Sequence, residues 1–427
     1  MGAIATMLIS FLVIGMPIGI ALAGAAVLFI LFDPMLSPGS VFKAFFNFQR
    51  SYTLMAIPFF ILAGFLMERT GLIKKLFEFA DAVIGWVPGG FAYATQMSAV
   101  MFGAISGSST AMSAAMGVIA FPEMKKRGYP EWMSAGVLAC GGGIAILIPP
   151  SITLILYGIL TEESIVALFF AGIIPGLMLA FSDATIIICV SIFFKLPRGH
   201  FTVKRLVSSF FSSLPALMMP VLVLGGLYGG IFTPTEAGAA SCGYAIVYGI
   251  IVQRGEFFKD LLPVCYRAAN LTAVVFFLVG CVGVFQFLLA NKGWPQDIAF
   301  WVNNLGLGTG EFLALLAIVL LAMSMFLTGI AILVLTVPII FPVAVSMGID
   351  PIHLGIIIAL AVEMGAVIPP VGLNLFAVSG TTGVPVHRVM RGTFPFLCTD
   401  SLVLIAVIMF PIIPLWIPNM MAKNIFN

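Results

Sequence analysis

The sequence predicts an all-α polytopic membrane protein, built as an inverted-topology repeat with two re-entrant helical hairpins and two broken helices. Of its 427 residues, 61% are hydrophobic and 8% are charged, and the mean hydropathy is +1.19. A soluble domain carries about 25% charged residues, so this composition excludes an ordinary soluble protein. The repeat is indicated by one phrase, Ile-Pro-Pro, that occurs twice in uncharged apolar segments, at 148–150 and at 368–370.

Apolar runs define the expected membrane crossings, because a spanning helix needs about 20 apolar residues. Full crossings are expected near 5–32, 52–69, 132–160, 164–194, 208–231, 236–253, 269–290, 352–380 and 394–418. Two further apolar regions are too long for one helix, and each has a polar, glycine-containing break near its middle. They are the predicted re-entrant hairpins, at 89–124 and 312–346. The alternative for each region is a pair of short full spans.

The two broken helices follow from proline chemistry. Proline lacks the N–H that a helix needs and clashes with the carbonyl four residues earlier. The proline pair 149–150 therefore interrupts the segment 132–160, and the pair 369–370 interrupts 352–380. The freed carbonyls are tolerated in lipid only where they are buried in protein or line a cavity. Broken helices in corresponding places of two halves indicate a transporter binding site.

Corresponding residues of the two halves lie at nearly constant intervals. Pro149 and Pro369 are separated by 369 − 149 = 220 residues, and Pro122 and Pro342 by the same interval; Asp183 and Asp400 are 217 apart. The intervals divide the chain into a first repeat at 1–205, a connecting span at 206–231 and a second repeat at 232–427.

Loop charges predict that the repeats have opposite orientations, as an odd number of crossings before the second repeat requires. Basic loops face the cytoplasm. Residues 125–127 after the first hairpin are all basic, whereas the corresponding residues 345–347 carry no charge. The acidic loop 161–164 corresponds in turn to the basic loop 387–391. We therefore expect a cytoplasmic N-terminus and a C-terminus on the periplasmic side.

The helix breaks supply groups that suit ions. Carbonyls at the ends of half-helices suit Na⁺, and N–H groups at the beginnings of half-helices suit anions. Two symmetry-related sodium sites are expected, formed by Ser106, Ser108, Ser109, Thr110, Gly143, Ala145 and Ile148 in the first repeat and by Thr328, Gly329, Gly365, Ala366 and Ile368 in the second. The expected substrate-binding residues, which follow the prolines, are Ser151, Gly372 and Asn374.

A simpler interpretation exists for each of these residues taken alone. Serine and threonine in membrane helices often bond the carbonyl four residues earlier, and glycine often serves close helix packing. The coincidence of broken helix, hairpin tip and repeat favours ion binding over that interpretation.

Four acidic residues lie within the expected spans, where carboxylates are costly and usually functional. They are Asp183, Glu236, Glu363 and Asp400. Glu236 is interpreted as an acidic residue in the first turn of a helix, with Thr235 or Thr233 as the N-cap. For the other three, two interpretations stay open: proton coupling or cation binding, and a helix cap or a contact with a partner subunit.

Several functional classes are excluded by missing motifs. The sequence has no GxxxxGK[ST] phosphate loop and no Ser/His/Asp or HExxH arrangement, so no enzyme and no ATP hydrolysis are expected. Its six scattered cysteines include no CxxC pair, so no metal other than sodium is expected. A net charge of +2 gives no indication of nucleic-acid binding.

The segment 70–86 is amphipathic and is predicted to be an interfacial arm helix. An apolar stripe at helical spacing lies opposite the charged residues Lys74, Lys75, Glu78 and Asp81. A matching stretch at 291–302 precedes the second hairpin. Two such braces suggest a fixed frame that holds a mobile core.

The chain resembles a known family in three features. These are the stretch 230–238, Gly-Ile-Phe-Thr-Pro-Thr-Glu-Ala-Gly; the Gly-Ser-Ser-Thr tip at 107–110, with Phe121 and Pro122 after it; and the two Ile-Pro-Pro motifs. They are similar to the large membrane subunit of tripartite ATP-independent periplasmic (TRAP) transporters, the DctM-like permeases. The resemblance covers essentially the whole chain.

The resemblance implies a sodium-driven importer of organic acids, such as a C4-dicarboxylate or a sialic acid, in a bacterial or archaeal inner membrane. It also implies an elevator mechanism, with sodium bound at the hairpin tips and the unwound Ile-Pro-Pro segments. The implied partners are a small, DctQ-like membrane subunit, expected as a separate polypeptide, and a periplasmic substrate-binding protein. The alternative is a standalone anion symporter, coupled to Na⁺ or H⁺, that has no partner subunits.

Overall fold

The computed structural model describes residues 2–106, 109–369 and 372–425, and in these ranges the chain is all-α, as predicted. The predicted sodium ligand Ser108 lies outside the described residues, as do the side chains of Ser106 and Ala145. Before the connecting span the helices are α1 Gly2–Val13, α2 Ile18–Phe32, α3 Gly39–Phe48, α4 Ala56–Arg69, α5 Leu72–Ile84, α6 Gly90–Ser106, α7 Ser109–Lys126, α8 Glu131–Leu147, α9 Ile152–Thr161 and α10 Ile165–Phe193.

Helix α11, Val203–Tyr228, covers most of the predicted connecting span. After it come α12 Pro234–Gln253, α13 Gly255–Lys292, α14 Trp294–Asn304, α15 Thr309–Ser324, α16 Gly329–Ser346, α17 Pro351–Gly365, α18 Leu373–Thr382, α19 Val386–Met409 and α20 Ile412–Ile425. Within the described ranges, seven helical segments are long and apolar enough to cross a membrane. They are α10, α11, α12, α16, α19, most of α13, and the segment 52–69, which contains α4.

Helix lengths and starting points follow the intervals seen in the sequence. Helices α7 and α16 have 18 residues each and begin at 109 and 329, so they are 329 − 109 = 220 residues apart. Helices α8 and α17 begin at 131 and 351, the same distance. The inverted orientation of the two repeats and the re-entrant character of the hairpins stay predictions.

Pro149, Pro150 and Pro369 lie at interruptions between two shorter helices. Helix α8 ends at Leu147 and α9 begins at Ile152, and α17 ends at Gly365 and α18 begins at Leu373. The missing proline N–H groups account for the interruptions.

Two spans predicted as single helices are divided in the structure. The segment 5–32 forms α1 and α2, which are separated at Gly15, a residue with a left-handed φ of 86°. A Cβ placed on Gly24 would lie 3.5 Å from the Phe11 ring, so α1 folds back along α2. The segment 394–418 is divided before Pro411, because the residue preceding a proline is disfavoured in a helix; α20 then packs against α10.

The arm helix α5 forms as predicted, but its charged face is not uniformly exposed. Leu72, Leu76 and Ala80 are buried against neighbouring helices, and Lys74 and Glu78 are exposed. The prediction that Asp81 lies on the exposed face is wrong, because this side chain is only 3% exposed. Helix α5 packs against both α6 and α11, which encloses the end of the helix where Asp81 lies.

Helix α8 lies among the helices that carry most of the predicted site residues. It packs against α6, α7, α10, α17, α18 and α19. Glycines permit the closest approaches: a Cβ on Gly136 would lie 2.3 Å from the carbonyl oxygen of Gly392 in α19. This packing brings the first hairpin tip, the first broken helix and the second broken helix together.

Candidate ion- and substrate-binding site

The half-helices that follow the proline pairs begin with residues suited to helix starts. The Ser151 hydroxyl accepts a hydrogen bond from the Leu154 N–H at 3.3 Å and so caps α9. Gly372 precedes α18 with a φ of 44°, a conformation that favours glycine. Its N–H donates to the Met325 carbonyl at 3.2 Å, which fixes the second break to the end of α15.

The Asn374 side chain joins three elements of the site. Its amide oxygen accepts hydrogen bonds from the hydroxyls of Ser109, at 3.3 Å, and Thr110, at 3.1 Å. Its amide nitrogen donates to the Ala139 carbonyl at 3.3 Å and to the Glu363 carboxylate at 3.4 Å. Asn374 is fully buried, and three of the four bonds are buried with it, whereas the bond to Thr110 is partly exposed. Asn374, predicted to bind substrate, is therefore in direct contact with Ser109 and Thr110, predicted to bind sodium.

Glu363, whose role the sequence left open, lies inside this site. It is 3% exposed, and the Ser109 hydroxyl is a hydrogen-bond partner in addition to Asn374. A Cβ on Gly143 would lie 3.2 Å from Glu363 Cγ, so this glycine leaves room for the carboxylate. A Cβ on Gly142 would lie 2.8 Å from the Ser109 carbonyl oxygen, so a second glycine allows α8 to approach the tip.

A cavity of about 420 Å³ connects the two predicted tips. Its polar wall is formed by Ser109, Thr110, Thr328, Gly329, Glu363 and Ala366. Apolar side chains of α4 and α13, the helices that precede the two arm segments, form much of the rest. The polar donors are hydroxyl, carboxylate and backbone oxygens, which are the ligands that hard cations prefer. Among the described residues no group of three or more His, Cys, Asp and Glu side chains could hold a metal ion.

The second tip is less polar than the first and is more closely packed. The Thr328 hydroxyl caps its own helix, α16, by accepting from the Ala331 N–H at 3.4 Å. A Cβ on Gly329 would lie 2.9 Å from Val362 Cγ1. At Gly365 a Cβ would lie 1.3 Å from the Ser324 hydroxyl, so this glycine provides the close packing that the sequence offered as the alternative to ion binding.

Of the remaining predicted site residues, Ala366 lines the cavity, whereas Gly143, Ile148, Ser151, Ile368 and Gly372 do not. The Ile148 side chain packs against Gly176 of α10: a Cβ on Gly176 would lie 2.9 Å from Ile148 Cγ1. The Ala366 carbonyl accepts from the Asn374 N–H at 3.0 Å, and the Ile368 N–H donates to the Gly365 carbonyl at 3.1 Å. Gly143 contributes through its contact with Glu363, whereas Ser151 and Gly372 act as the helix starts described above.

Asp183 and Asp400 form a second buried polar cluster. The two carboxyl groups lie close enough to interact directly. The Gln96 amide donates to Asp183, and the Ser182 hydroxyl donates to Asp400 at 3.1 Å. Gln96 was not among the predicted functional residues, although it is the one amide side chain in the apolar segment 90–106. Two carboxyl groups this close cannot both be ionised without a compensating charge.

Glu236 belongs to neither cluster, and its predicted role as a cap is confirmed. The Thr233 hydroxyl accepts from the Glu236 N–H at 3.3 Å, and the Glu236 carboxylate accepts from the Thr233 N–H at 2.8 Å. This reciprocal pair is the capping box at the start of α12.

The fold is similar to that of a solved transporter structure. A solved structure, the YdaH transporter of Alcanivorax borkumensis, superposes with a TM-score of 0.64, covering 89% of this chain and 87% of that one, at 13% identity. At that identity the likeness concerns the fold alone.

Sequence comparison identifies the family. Residues 5–413 match the family described as "Tripartite ATP-independent periplasmic transporter, DctM component", and the chain belongs to this family. It is 38% identical to the C4-dicarboxylate TRAP transporter large permease protein DctM of Pseudomonas aeruginosa over 95% of both chains. It is 32% identical to the sialic acid TRAP transporter large permease protein SiaM of Vibrio cholerae, again over 95% of both. The resemblance found in the sequence motifs is thereby confirmed.

Proposed function

We propose that the chain is the permease subunit of a sodium-coupled secondary importer of organic acids, and that it is not an enzyme. The observation that carries the proposal is the hydrogen-bonding pattern around Asn374. Its amide nitrogen faces a carbonyl and a carboxylate, so its amide oxygen must be the group that accepts from Ser109 and Thr110.

This pattern orients the hydroxyl groups. Because the Thr110 hydrogen is directed to Asn374, the lone pairs of its oxygen are free to face the cavity that Thr110 lines. The Ser109 hydrogen has two acceptors, Asn374 and Glu363, with the same effect. Preoriented oxygens next to a carboxylate favour Na⁺, and the cavity is large enough to hold a small organic acid as well.

The substrate class rests on the family and on the cavity. The relatives named above transport a C4-dicarboxylate and a sialic acid, and both compounds are carboxylates. None of the described residues that line the cavity is basic. We therefore infer that bound sodium and the positive end of the α18 helix dipole offset the substrate charge.

The proposed setting is a bacterial or archaeal inner membrane with a cytoplasmic N-terminus and a periplasmic C-terminus. The family name describes a tripartite system. We infer that a small membrane subunit and a periplasmic binding protein complete it, and that hairpins and broken helices move as an elevator against the frame. Co-purification of a small membrane protein with the tagged chain supports this assembly. A chain that transports substrate alone contradicts it and favours the standalone symporter.

The decisive experiment is uptake into proteoliposomes that contain the chain and its small partner, with the binding protein added outside. Radiolabelled succinate and sialic acid are compared with and without an inward sodium gradient. We expect uptake that needs both sodium and the binding protein, and the preferred label identifies the substrate class. Uptake that ignores sodium and follows a proton gradient contradicts the sodium proposal.

Proton coupling is the second candidate, and the pair Asp183–Asp400 favours it. Two buried carboxyl groups in contact provide a place for one shared proton. Under this candidate, Asp183→Asn abolishes uptake driven by a proton gradient. Under the sodium proposal, the same variant retains sodium-driven uptake.

A further inference from the structure

A second cavity, of about 440 Å³, lies where the end of α5, the α7–α8 loop and the α10–α11 loop meet. We propose that this basic pocket, lined by Arg127, Tyr129, Arg198, His200 and Arg205, binds the phosphate headgroup of an anionic phospholipid. It is separate from the transport cavity, with which it shares no lining residue.

The pocket holds more positive than negative charge. Asp81 pairs with Arg127 at 3.4 Å and with Arg205 at 2.5 Å, and Glu123 pairs with Arg127 at 3.2 Å. Two carboxylates therefore face three guanidinium groups, because Arg198 also lines the pocket. A guanidinium has five N–H donors arranged to match phosphate oxygens, and these pairs leave several donors unused.

The arginines are held in place before any ligand binds. Asp81 is buried and forms ion pairs with both Arg127 and Arg205, which restricts the two side chains. The Arg127 guanidinium also lies 3.9 Å from the centre of the Phe91 ring. The loop that carries Arg198 is fixed as well, because the Gly199 N–H donates to the Gly85 carbonyl at 2.9 Å. A Cβ on Gly199 would lie 2.7 Å from that oxygen, so the close approach requires glycine.

Tyr129 provides an independent indication that a polar ligand is needed. The side chain is 4% exposed and its hydroxyl has no hydrogen-bond partner. The hydroxyl faces the amides of Phe91 and Ala92 at the start of α6, but it meets the geometry of a hydrogen bond with neither. Buried hydroxyls are almost always satisfied. A phosphate oxygen in the pocket would supply the missing acceptor.

The surroundings of the pocket favour a lipid over a free phosphate. Trp86 and Phe201, next to lining residues in the sequence, are half exposed and meet edge to face with ring centres 6.2 Å apart. Phe193, just before the α10–α11 loop, is 81% exposed. Exposed aromatic rings beside basic loops are typical of the membrane interface. Anionic lipids in the cytoplasmic leaflet attract such loops, and the loop charges predict that face for this pocket.

The test compares lipid binding by the delipidated full-length chain in native mass spectrometry. Phosphatidylglycerol and phosphatidylcholine are titrated separately, because both carry a phosphate and only the first has a net charge. The variant is Arg198→Gln/His200→Gln, which leaves the Asp81 pairs intact. The matched control is Lys204→Gln, an exposed cation in the same region that does not line the pocket.

We expect the wild type to prefer phosphatidylglycerol, and the double variant to lose about fivefold to tenfold of that affinity. The Lys204→Gln variant should bind as the wild type does. Equal binding of both lipids by the wild type, or an unchanged affinity of the double variant, would falsify the proposal. Displacement of phosphatidylglycerol by millimolar inorganic phosphate would also contradict it, since that outcome identifies a free-phosphate site. Thermal unfolding of each variant in detergent verifies that it is folded.

Discussion

The two hairpin tips occupy corresponding places in the sequence, yet they use their polar groups differently. At the first tip, Ser109 and Thr110 bond Asn374, a residue of the other half, and line the cavity beside Glu363. At the second tip, Thr328 caps its own helix and Gly329 packs against Val362. Repeated prolines give both halves a break, but only the first tip presents hydroxyls fixed by another element. We therefore expect the first tip to dominate sodium binding.

The largest effect is expected from Asn374→Ala, which removes the side chain that distinguishes the first tip from the second. The change leaves two hydroxyls, a carbonyl and a buried carboxylate without their partner, and each such loss costs about 1–3 kcal/mol. We expect loss of sodium-driven uptake and a decrease of about 3 kcal/mol in the free energy of unfolding. Uptake and thermal unfolding in detergent measure the two effects.

Asn291→Ala is the matched control for this variant. Asn291 is exposed and bonds only its own helix, through the Phe287 carbonyl, so it should change stability by less than about 0.5 kcal/mol. Wild-type uptake by Asn374→Ala would show that the first tip does not depend on the second half.

The comparison is sharpened by removing hydroxyls from one tip at a time. Ser109→Ala/Thr110→Val should weaken sodium affinity by about tenfold or more, because charged ligands lose oxygen partners worth about 1.5–3 kcal/mol. Thr328→Val should change it far less. The measurement is the sodium concentration that gives half of the maximal thermal stabilisation. Equal effects at the two tips would support two equivalent sites and contradict the asymmetry.

A smaller effect is expected from substituting the glycines that allow close packing near each tip. In Gly142→Ala the new Cβ meets the Ser109 carbonyl oxygen, and in Gly365→Ala it meets the Ser324 side chain. Each should cost about 1–3 kcal/mol in unfolding free energy. Only the second should be largely rescued by a partner change, Ser324→Gly, because its two nearest obstacles belong to that side chain and only the Leu321 carbonyl oxygen, at 3.0 Å, would remain. No recovery of stability in the double variant would mean that Gly365 serves something other than packing.

The smallest effect is expected at the helix caps. Ser151→Ala and Thr328→Ala each remove one cap, which is worth about 1 kcal/mol. Ser151 is fully buried and Thr328 is exposed, so water can replace the second cap but not the first. We expect the larger decrease in unfolding temperature for Ser151→Ala, and the reverse order would contradict this account.

Much of the fold follows from local rules, so it could be predicted from the sequence. The prolines mark both helix interruptions, the arm helix follows from its apolar stripe, and Glu236 lies at a helix N-cap as predicted. The division of 5–32 was missed because Gly15 and Pro17 lie in an otherwise apolar run that satisfies a length criterion for one span. Length alone does not reveal that α1 folds back.

The candidate site was predicted only in part, because its bonds join distant residues. The hydroxyls of the first tip and Asn374 were each identified from local breaks, but nothing in the sequence shows that they meet. The burial of Asp81 and the contact of Gln96 with Asp183 are likewise set by how helices pack. Helical periodicity places a residue on a face, and it does not say which neighbour covers that face.

The bond between Ser109 and Asn374 also has a consequence for how the protein is made. The two residues are 265 positions apart, and a chain emerges from the ribosome N-terminal end first. The hydroxyls of the first tip and the Ala139 carbonyl are therefore synthesised long before the amide that joins them. A nascent chain released after α11 would contain every helix of its half but an unfinished site. The proposed ion site can therefore form only after residue 374 has been synthesised.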